Sequence, residues 1–243
     1  MKIPIAALLP ILAGMLIFGP PAGRPNTRGP EPTRQRINRT DEEIDAQEKL
    51  RDERFGLDKA LDTLAILPGM TVAEIGAGEG YLVIKLASRV ADGAVWAEDI
   101  APRFLEALKR RAARRGLANI NRLVGEAGDP HLPGGAFDMI FMHTTYHFLE
   151  DPATFFGALV PALKPGGRIV VIEMERDRAV NVEGKSISGF PTREDYLDVF
   201  GTAKLKVGRI DDRTMPHHTI FVLLAGKASR IPPQRSASLP RLI

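Results

Sequence analysis

The sequence predicts an α/β fold: a Rossmann-like doubly wound sheet of seven strands, mostly parallel, closing on an antiparallel pair. Three observations carry this. Short apolar runs alternate with amphipathic helical stretches, the pattern of a parallel sheet covered on both faces. The first run ends in three alternating glycines, Gly76, Gly78 and Gly80. The last two runs are joined by a link too short for a parallel crossover.

The elements follow in order. Residues 41–67 read as helix, split near Phe55-Gly56, and Pro68-Gly69 is a turn. Residues 71–75 form a short buried strand. A helix over 80–90 places Leu82, Ile84, Leu86 and Ala87 on its apolar face. Residues 94–98 are a strand. The helix over 102–115 has Pro102 in its first turn and Gly116 after its end. Residues 120–124, 137–142 and 168–173 are three more strands, with a helix over 152–163 between the last two. Residues 203–210 and 218–224 are the antiparallel pair, and their loop holds Asp211, Asp212 and Pro216.

The 243 residues, 44% hydrophobic and 26% charged, suit one globular domain with flanks. There is no cysteine, so disulfides, thiolate metal sites and a cysteine nucleophile are excluded. The net charge of +3 hides an asymmetry. Residues 1–40 carry six Lys and Arg against one acid, Glu31, and residues 227–243 carry four and no acid. Of 33 basic and 30 acidic residues, 23 and 29 therefore remain in 41–226. A net-acidic body argues against a nucleic-acid groove on it.

Residues 3–18 are apolar apart from Pro4 and Pro10, follow Lys2, and end at Gly19-Pro20-Pro21-Ala22-Gly23. Sixteen residues is short of the roughly 20 of a membrane span. The stretch 1–23 fits a secretory signal that would export the chain. The alternative is an uncleaved anchor. The five arginines that follow the run would then keep the domain on the cytoplasmic side. Residues 24–40 read as a Pro/Arg-rich linker, 41–226 as the folded domain, and 227–243 as a basic disordered tail.

In open parallel sheets, ligands sit at the carboxyl ends of strands near the switch point. Here that is Glu74-Ile75-Gly76-Ala77-Gly78-Glu79-Gly80. Glycines let the backbone turn tightly and approach a ligand, and the following helix offers free N–H groups. The spacing is G-x-G-x-G, whereas the dinucleotide fingerprint is G-x-G-x-x-G; Tyr81 stands where its third glycine would be. Asp99, nineteen residues past Gly80 at the end of the second strand, is placed to bind ribose hydroxyls.

These segments resemble class I S-adenosylmethionine-dependent methyltransferases. Pro68 through Tyr81 is similar to that family's first motif and its lead-in, and Val95-Trp96-Ala97-Glu98-Asp99-Ile100 to its second-strand acidic motif. Leu132-Pro133 with Phe137-Asp138-Met139-Ile140 resembles the approach to the fourth strand. Leu163-Lys164-Pro165-Gly166-Gly167-Arg168 resembles the turn into the fifth. The resemblance implies S-adenosyl-L-methionine as cofactor. It implies that Glu74, Ile75, Gly76, Ala77, Gly78 and Gly80 hold its methionine part. Asp99 would bind the ribose, and Ile100 would pack on adenine. The acid near the adenine amino group falls at Glu126, beside Ala127, or at Asp129. Met142 and His143 match the end of the fourth strand beside the sulfonium.

No obligatory catalytic side chain follows from this chemistry. A base is needed only if the acceptor must lose a proton. The candidates are His143, Tyr146 and His147, which follow the fourth strand and are expected to face the cleft. His147 reads as a base or a substrate hydrogen-bond donor. A His143–His147 metal site lacks a third ligand, and none is assigned. His217 and His218 read as surface or substrate-loop residues. Residues 41–61 are the expected lid, and 176–190 a further cleft-edge loop. The expected activity is methyl transfer to a small-molecule acceptor. A non-catalytic cofactor-binding protein and an NAD-dependent oxidoreductase are the alternatives, the latter opposed by the glycine spacing.

Overall fold

A computed structural model of the chain describes residues 39–226. The expectations for 1–38 and 227–243 (signal or anchor, most of the linker, basic tail) lie outside this range. Among the described residues, no helix is long and apolar enough to cross a membrane.

Seven strands form one sheet: β1 (Thr71–Ile75), β2 (Ala94–Asp99), β3 (Ile120–Val124), β4 (Phe137–His143), β5 (Leu163–Met174), β6 (Leu205–Asp211) and β7 (His218–Ala225). Their order is β3-β2-β1-β4-β5-β7-β6. The first five run parallel, and β7 pairs antiparallel with both β5 and β6. The chain order reverses between β1 and β4, so a crevice opens at their carboxyl ends.

Side-chain alternation along each strand divides the core in two. Val72, Met139, Phe141, Val170 and Ile172 point to one face. There they meet α2 (Leu57–Asp62), α3 (Tyr81–Arg89) and α4 (Pro102–Arg114) through Leu61, Leu82, Leu86, Leu105 and Leu108. Ala73, Ile75, Ile140, Met142 and Val171 point to the other face, against α5 (Pro152–Leu159) and α6 (Arg193–Thr202).

Several elements depart from expectation, α2 among them, since it ends at Asp62 rather than Leu67. Helix α6 was not foreseen. Thr192 and Asp195 close a reciprocal capping box at its start, and Tyr196 and Phe200, one turn apart, fill the second core. Strand β5 begins at Leu163, five residues early, because the expected Lys164-Pro165-Gly166-Gly167 turn is folded into the strand's edge. The expected helix over 152–163 correspondingly ends at Leu159, followed by a 3₁₀ turn over Val160–Ala162.

Helix α1 (Asp41–Phe55) is unlike the others. It starts on a Thr40–Glu43 capping box and ends at Gly56 in the left-handed region. It buries only Ile44 and Phe55. Its attachment to the domain is polar, and it roofs the carboxyl end of the sheet.

Candidate functional site

The site begins where β1 stops. Gly76, Gly78 and Gly80 have φ of +69°, +55° and +96°, a region that costs any residue with a Cβ. Sterics sharpen this at two of them. A Cβ on Gly76 would lie 2.4 Å from Thr145 Cγ2, and one on Gly80 would lie 2.3 Å from Leu108 Cδ1. A Cβ on Gly78 would meet nothing within 4 Å, so that glycine faces open space. The bend is held by Ala77 N–H donating to the Glu98 carbonyl at 2.8 Å and Gly80 N–H to the Ala77 carbonyl at 3.0 Å. Gly76→Ala is expected to cost about 2 kcal/mol from left-handed strain and the Thr145 clash, read as a lower urea midpoint at unchanged m.

Three carboxyls gather beneath the bend. Asp99 ends β2, with Oδ2 accepting from Gly78 N–H and Oδ1 from Ala101 N–H, each at 2.8 Å. Burial pushes its carboxyl up, opposed by those two bonds. Glu74 is 2% exposed, and its Oε2 has no hydrogen-bond partner. Burial holds it well above the usual carboxylate range. Glu98, which sequence reasoning passed over, is equally buried. Its carboxyl is pushed up to about 8 by burial and then by the neighbouring Asp99 charge. It accepts from Gly76 N–H at 3.4 Å.

At the outer end, Ile100 is 61% exposed, an apolar platform one residue beyond Asp99. Glu126, Ala127 and Asp129 lie in an exposed turn after β3, closed by Glu126 N–H to the Asp129 carbonyl at 2.8 Å. Asp129 Oδ1 is committed to the His131 N–H at 2.8 Å, so its carboxylate is bound into its own turn. Both carboxylates flank the His131 ring, Glu126 Oε1 at 3.8 Å and Asp129 Oδ2 at 4.0 Å from its Nε2.

Residues 41–61 do cover the site, but not through an apolar face. Arg111 of α4 is fully buried; its guanidinium donates to Asp45, Glu48 and the Glu79 carbonyl. Tyr81 donates from its hydroxyl to Asp52 at 2.6 Å, and Lys85 ties Asp52 and Asp58 at 2.9 and 2.6 Å. The Arg51 guanidinium lies 4.1 Å from the centre of the Tyr81 ring, and its charge reaches Glu74, His143 and His218. Arg39, expected to belong to the linker, bonds Glu79 and Gln47 instead.

The residues after β4 separate. Tyr146 does not face the cleft. A 3₁₀ turn over Tyr146–Phe148 sends its ring into the second core, between Phe156, Tyr196 and Phe200. Burial pushes its hydroxyl far up, which removes it from acid–base work. Met142 is likewise corrected: strand alternation turns its side chain into that core, leaving only its backbone, level with Ile75, at the site. His143 points to the first face, near Tyr81. Its Nε2 has no partner, and burial holds it well below the usual imidazole range. His218 is not a surface residue. It is buried, stacks on His143 with centroids 6.1 Å apart, and lies 4.9 Å from the Phe55 ring. Its Nδ1 sits 3.0 Å from the Pro216 carbonyl, and burial pushes it down to about 4. His143 and His147 do not share a helix face, since one ends a strand and the other lies in the 3₁₀ turn. Among the described residues, no group of three or more His, Cys, Asp and Glu is placed to hold a metal ion. His147 Nδ1 lies 3.1 Å from Glu173 Oε2, and its ring is packed by Phe148 and Phe190.

The arrangement suits a nucleotide-bearing cofactor with an amino-acid end. The open face of Gly78 admits its backbone, and the unpartnered Glu74 Oε2 would accept from an ammonium group. Comparison with known proteins agrees. Residues 72–167 match a family described as a methyltransferase domain. The chain is 32% identical over 112 residues to aklanonic acid methyltransferase of Streptomyces sp. (strain C5), 46% of this chain and 51% of that protein. It is 30% identical over 112 residues to nocamycin O-methyltransferase of Saccharothrix syringae, 46% of this chain and 40% of that one. The chain thus spans about half the length of these curated relatives, or less. A crystal structure of a SAM-dependent methyltransferase from Aquifex aeolicus shares the fold, with TM-score 0.66 and 24% identity over 74% of this chain and 94% of that one. Motif, topology and matched domain together make the chain similar, over residues 72–167, to class I S-adenosylmethionine-dependent methyltransferases.

Proposed function

We propose that the protein transfers a methyl group from S-adenosyl-L-methionine to a small-molecule acceptor. One observation carries this reading: a left-handed glycine bend opens between a buried, half-unpartnered Glu74 and an Asp99 locked at the end of β2. Relatives named for aklanonic acid and nocamycin support the acceptor class.

When bound, the cofactor supplies an electrophilic methyl on sulfur. The chain's own residues bind, align and exclude water. Glu74 and the open backbone face at Gly78 would hold the amino-acid end. Asp99, oriented by two backbone N–H groups, turns its remaining lone pairs to the ribose diol. Ile100 underlies the adenine, and Glu126 with Ala127 borders its amino edge. Closure of α1 over the bend removes water from the reacting atoms, and alignment contributes up to roughly 7–11 kcal/mol at its limit.

The test is calorimetry with S-adenosylmethionine and S-adenosylhomocysteine, beside tritium transfer to an acceptor panel and an NAD titration. Asp99→Ala is expected to weaken donor binding about 100-fold through loss of charge-assisted bonds to the diol. No heat for either compound in the wild type would overturn the reading; binding with no transfer to any acceptor would favour the non-catalytic alternative. We further propose that the apolar run over 3–18 takes the chain to or across a membrane. Cell fractionation with N-terminal sequencing checks it.

A further inference from the structure

We propose that His147 and Glu173 form a base dyad, and that the acceptor is therefore a weakly acidic hydroxyl compound, a phenol or enol, methylated on oxygen; this rests on the methyl-transfer reading above. Glu173 lies on β5 one residue beyond the last β4–β5 pair, His143 with Ile172, so its carboxyl reaches past the end of β4. It is fully buried, with Oε1 taking the Met174 N–H at 3.2 Å and Oε2 facing His147 Nδ1 at 3.1 Å. As a carboxylate it only accepts, so Nδ1 carries the hydrogen and Nε2 keeps the lone pair. That is the base-and-orienter arrangement in which a third group fixes both tautomer and ring direction.

The surroundings fit this use. Phe148 and Phe190 hold the imidazole from 4.1 and 4.5 Å, and Phe148 is 49% exposed, an apolar wall beside the base. Two residues earlier, Thr145 lies against Gly76, so the turn carrying His147 is seated on the bend. No such orienting carboxylate is bonded to His143 or His218, which stack on one another on the opposite face of the sheet.

The acceptor class follows from what needs a base. A neutral amine attacks first and loses its proton afterwards, and a thiol is largely activated by its own ionisation. A hydroxyl is a poor nucleophile until its proton leaves. The new C–O bond forms as the methyl–sulfur bond breaks, with that electron pair retained by sulfur. The hydroxyl proton passes to His147 Nε2, the imidazolium is stabilised by Glu173, and the proton is then lost to water. His147 is the catalytic residue and Glu173 its positioning residue.

The experiment uses the full chain, with donor affinity followed by calorimetry, transfer measured on matched phenols, anilines and thiophenols, and the His147 tautomer read by ¹⁵N NMR. We expect transfer to phenols in preference to anilines. His147→Asn should lose about 100-fold or more in kcat on phenols at unchanged donor affinity. Glu173→Gln should lose kcat rather than KM and shift the His147 nitrogen signals away from the Nδ1–H form, with Glu173→Asp recovering part of both. Donor binding with no transfer to any phenol, or His147→Asn within threefold of wild type, overturns the dyad alone. Absence of donor binding in the wild type overturns the methyl-transfer reading and the dyad with it.

Discussion

Arg111→Ala is expected to lower the unfolding free energy by about 2–4 kcal/mol and to free α1 from the domain. The guanidinium is buried between two helices, donating to Asp45 and Glu48 of α1 and to the Glu79 carbonyl in the glycine bend. Removing it strands these acceptors, and Glu48 is mostly buried. An unpaired buried charge costs more than the pair contributed. Arg114 and Arg115 also reach Asp45, at 2.8 and 2.9 Å, but they are more exposed and more easily screened by salt. Since α1 buries only Ile44 and Phe55, apolar contact cannot hold it alone. Arg111→Lys keeps the charge but loses the fork that serves three acceptors, so it should fall between the two. Urea unfolding measures the loss, and hydrogen exchange along α1 locates it. A midpoint unchanged from wild type, with α1 still protected, would show that the clamp is not what docks the helix.

That clamp also shows where the sequence stops being informative. The strands were legible because each is a short apolar run bounded by glycine, proline or polar turns, and their bounds fall within a few residues of expectation, β5 excepted. The bend and Asp99 were legible because local spacing defines them. Helix α1 gave the charge pattern of a solvated face, and its partner Arg111 lies 66 residues from Asp45 in the chain. Nothing local joins them. Glu98 was hidden by its neighbour: one of two adjacent acids looked functional, whereas both are buried at the end of β2. His218 depends on register, since β7 must pair with β5 at Met174 before it can reach His143. Tyr146 was misplaced because a single 3₁₀ turn reverses which way it points. Helix α6 did carry a signal, in Thr192 and Asp195 ahead of Tyr196 and Phe200 at i, i+4.

Glu98→Gln is expected to raise stability above pH 8 by about 2–4 kcal/mol while leaving it unchanged below pH 4, because it removes a carboxyl that the fold keeps protonated. In the folded protein Glu98 holds its proton up to about pH 8, and in the unfolded chain it loses it near 4.5. Between those values the folded state binds more protons, so stability is present at low pH and is lost as pH rises towards 8. Glutamine has no proton to lose and still offers an oxygen to the Gly76 N–H. The histidines act in the opposite sense. Burial holds His218 down to about 4 and His143 well below 6.5, so the unfolded chain binds more protons below 6.5 and stability falls as pH drops from there. Their slope opposes that of Glu98 between about 4.5 and 6.5. With Glu98 removed, the histidine limb stands with less opposition, and the optimum moves to higher pH. Glu74 and Asp99, also raised by burial, keep an alkaline decline in both proteins. Urea midpoints taken from pH 4 to 9 give both curves. Parallel curves between pH 6 and 8 would mean that Glu98 is ionised in the folded state, and that the floor of the bend carries one more negative charge than its burial allows.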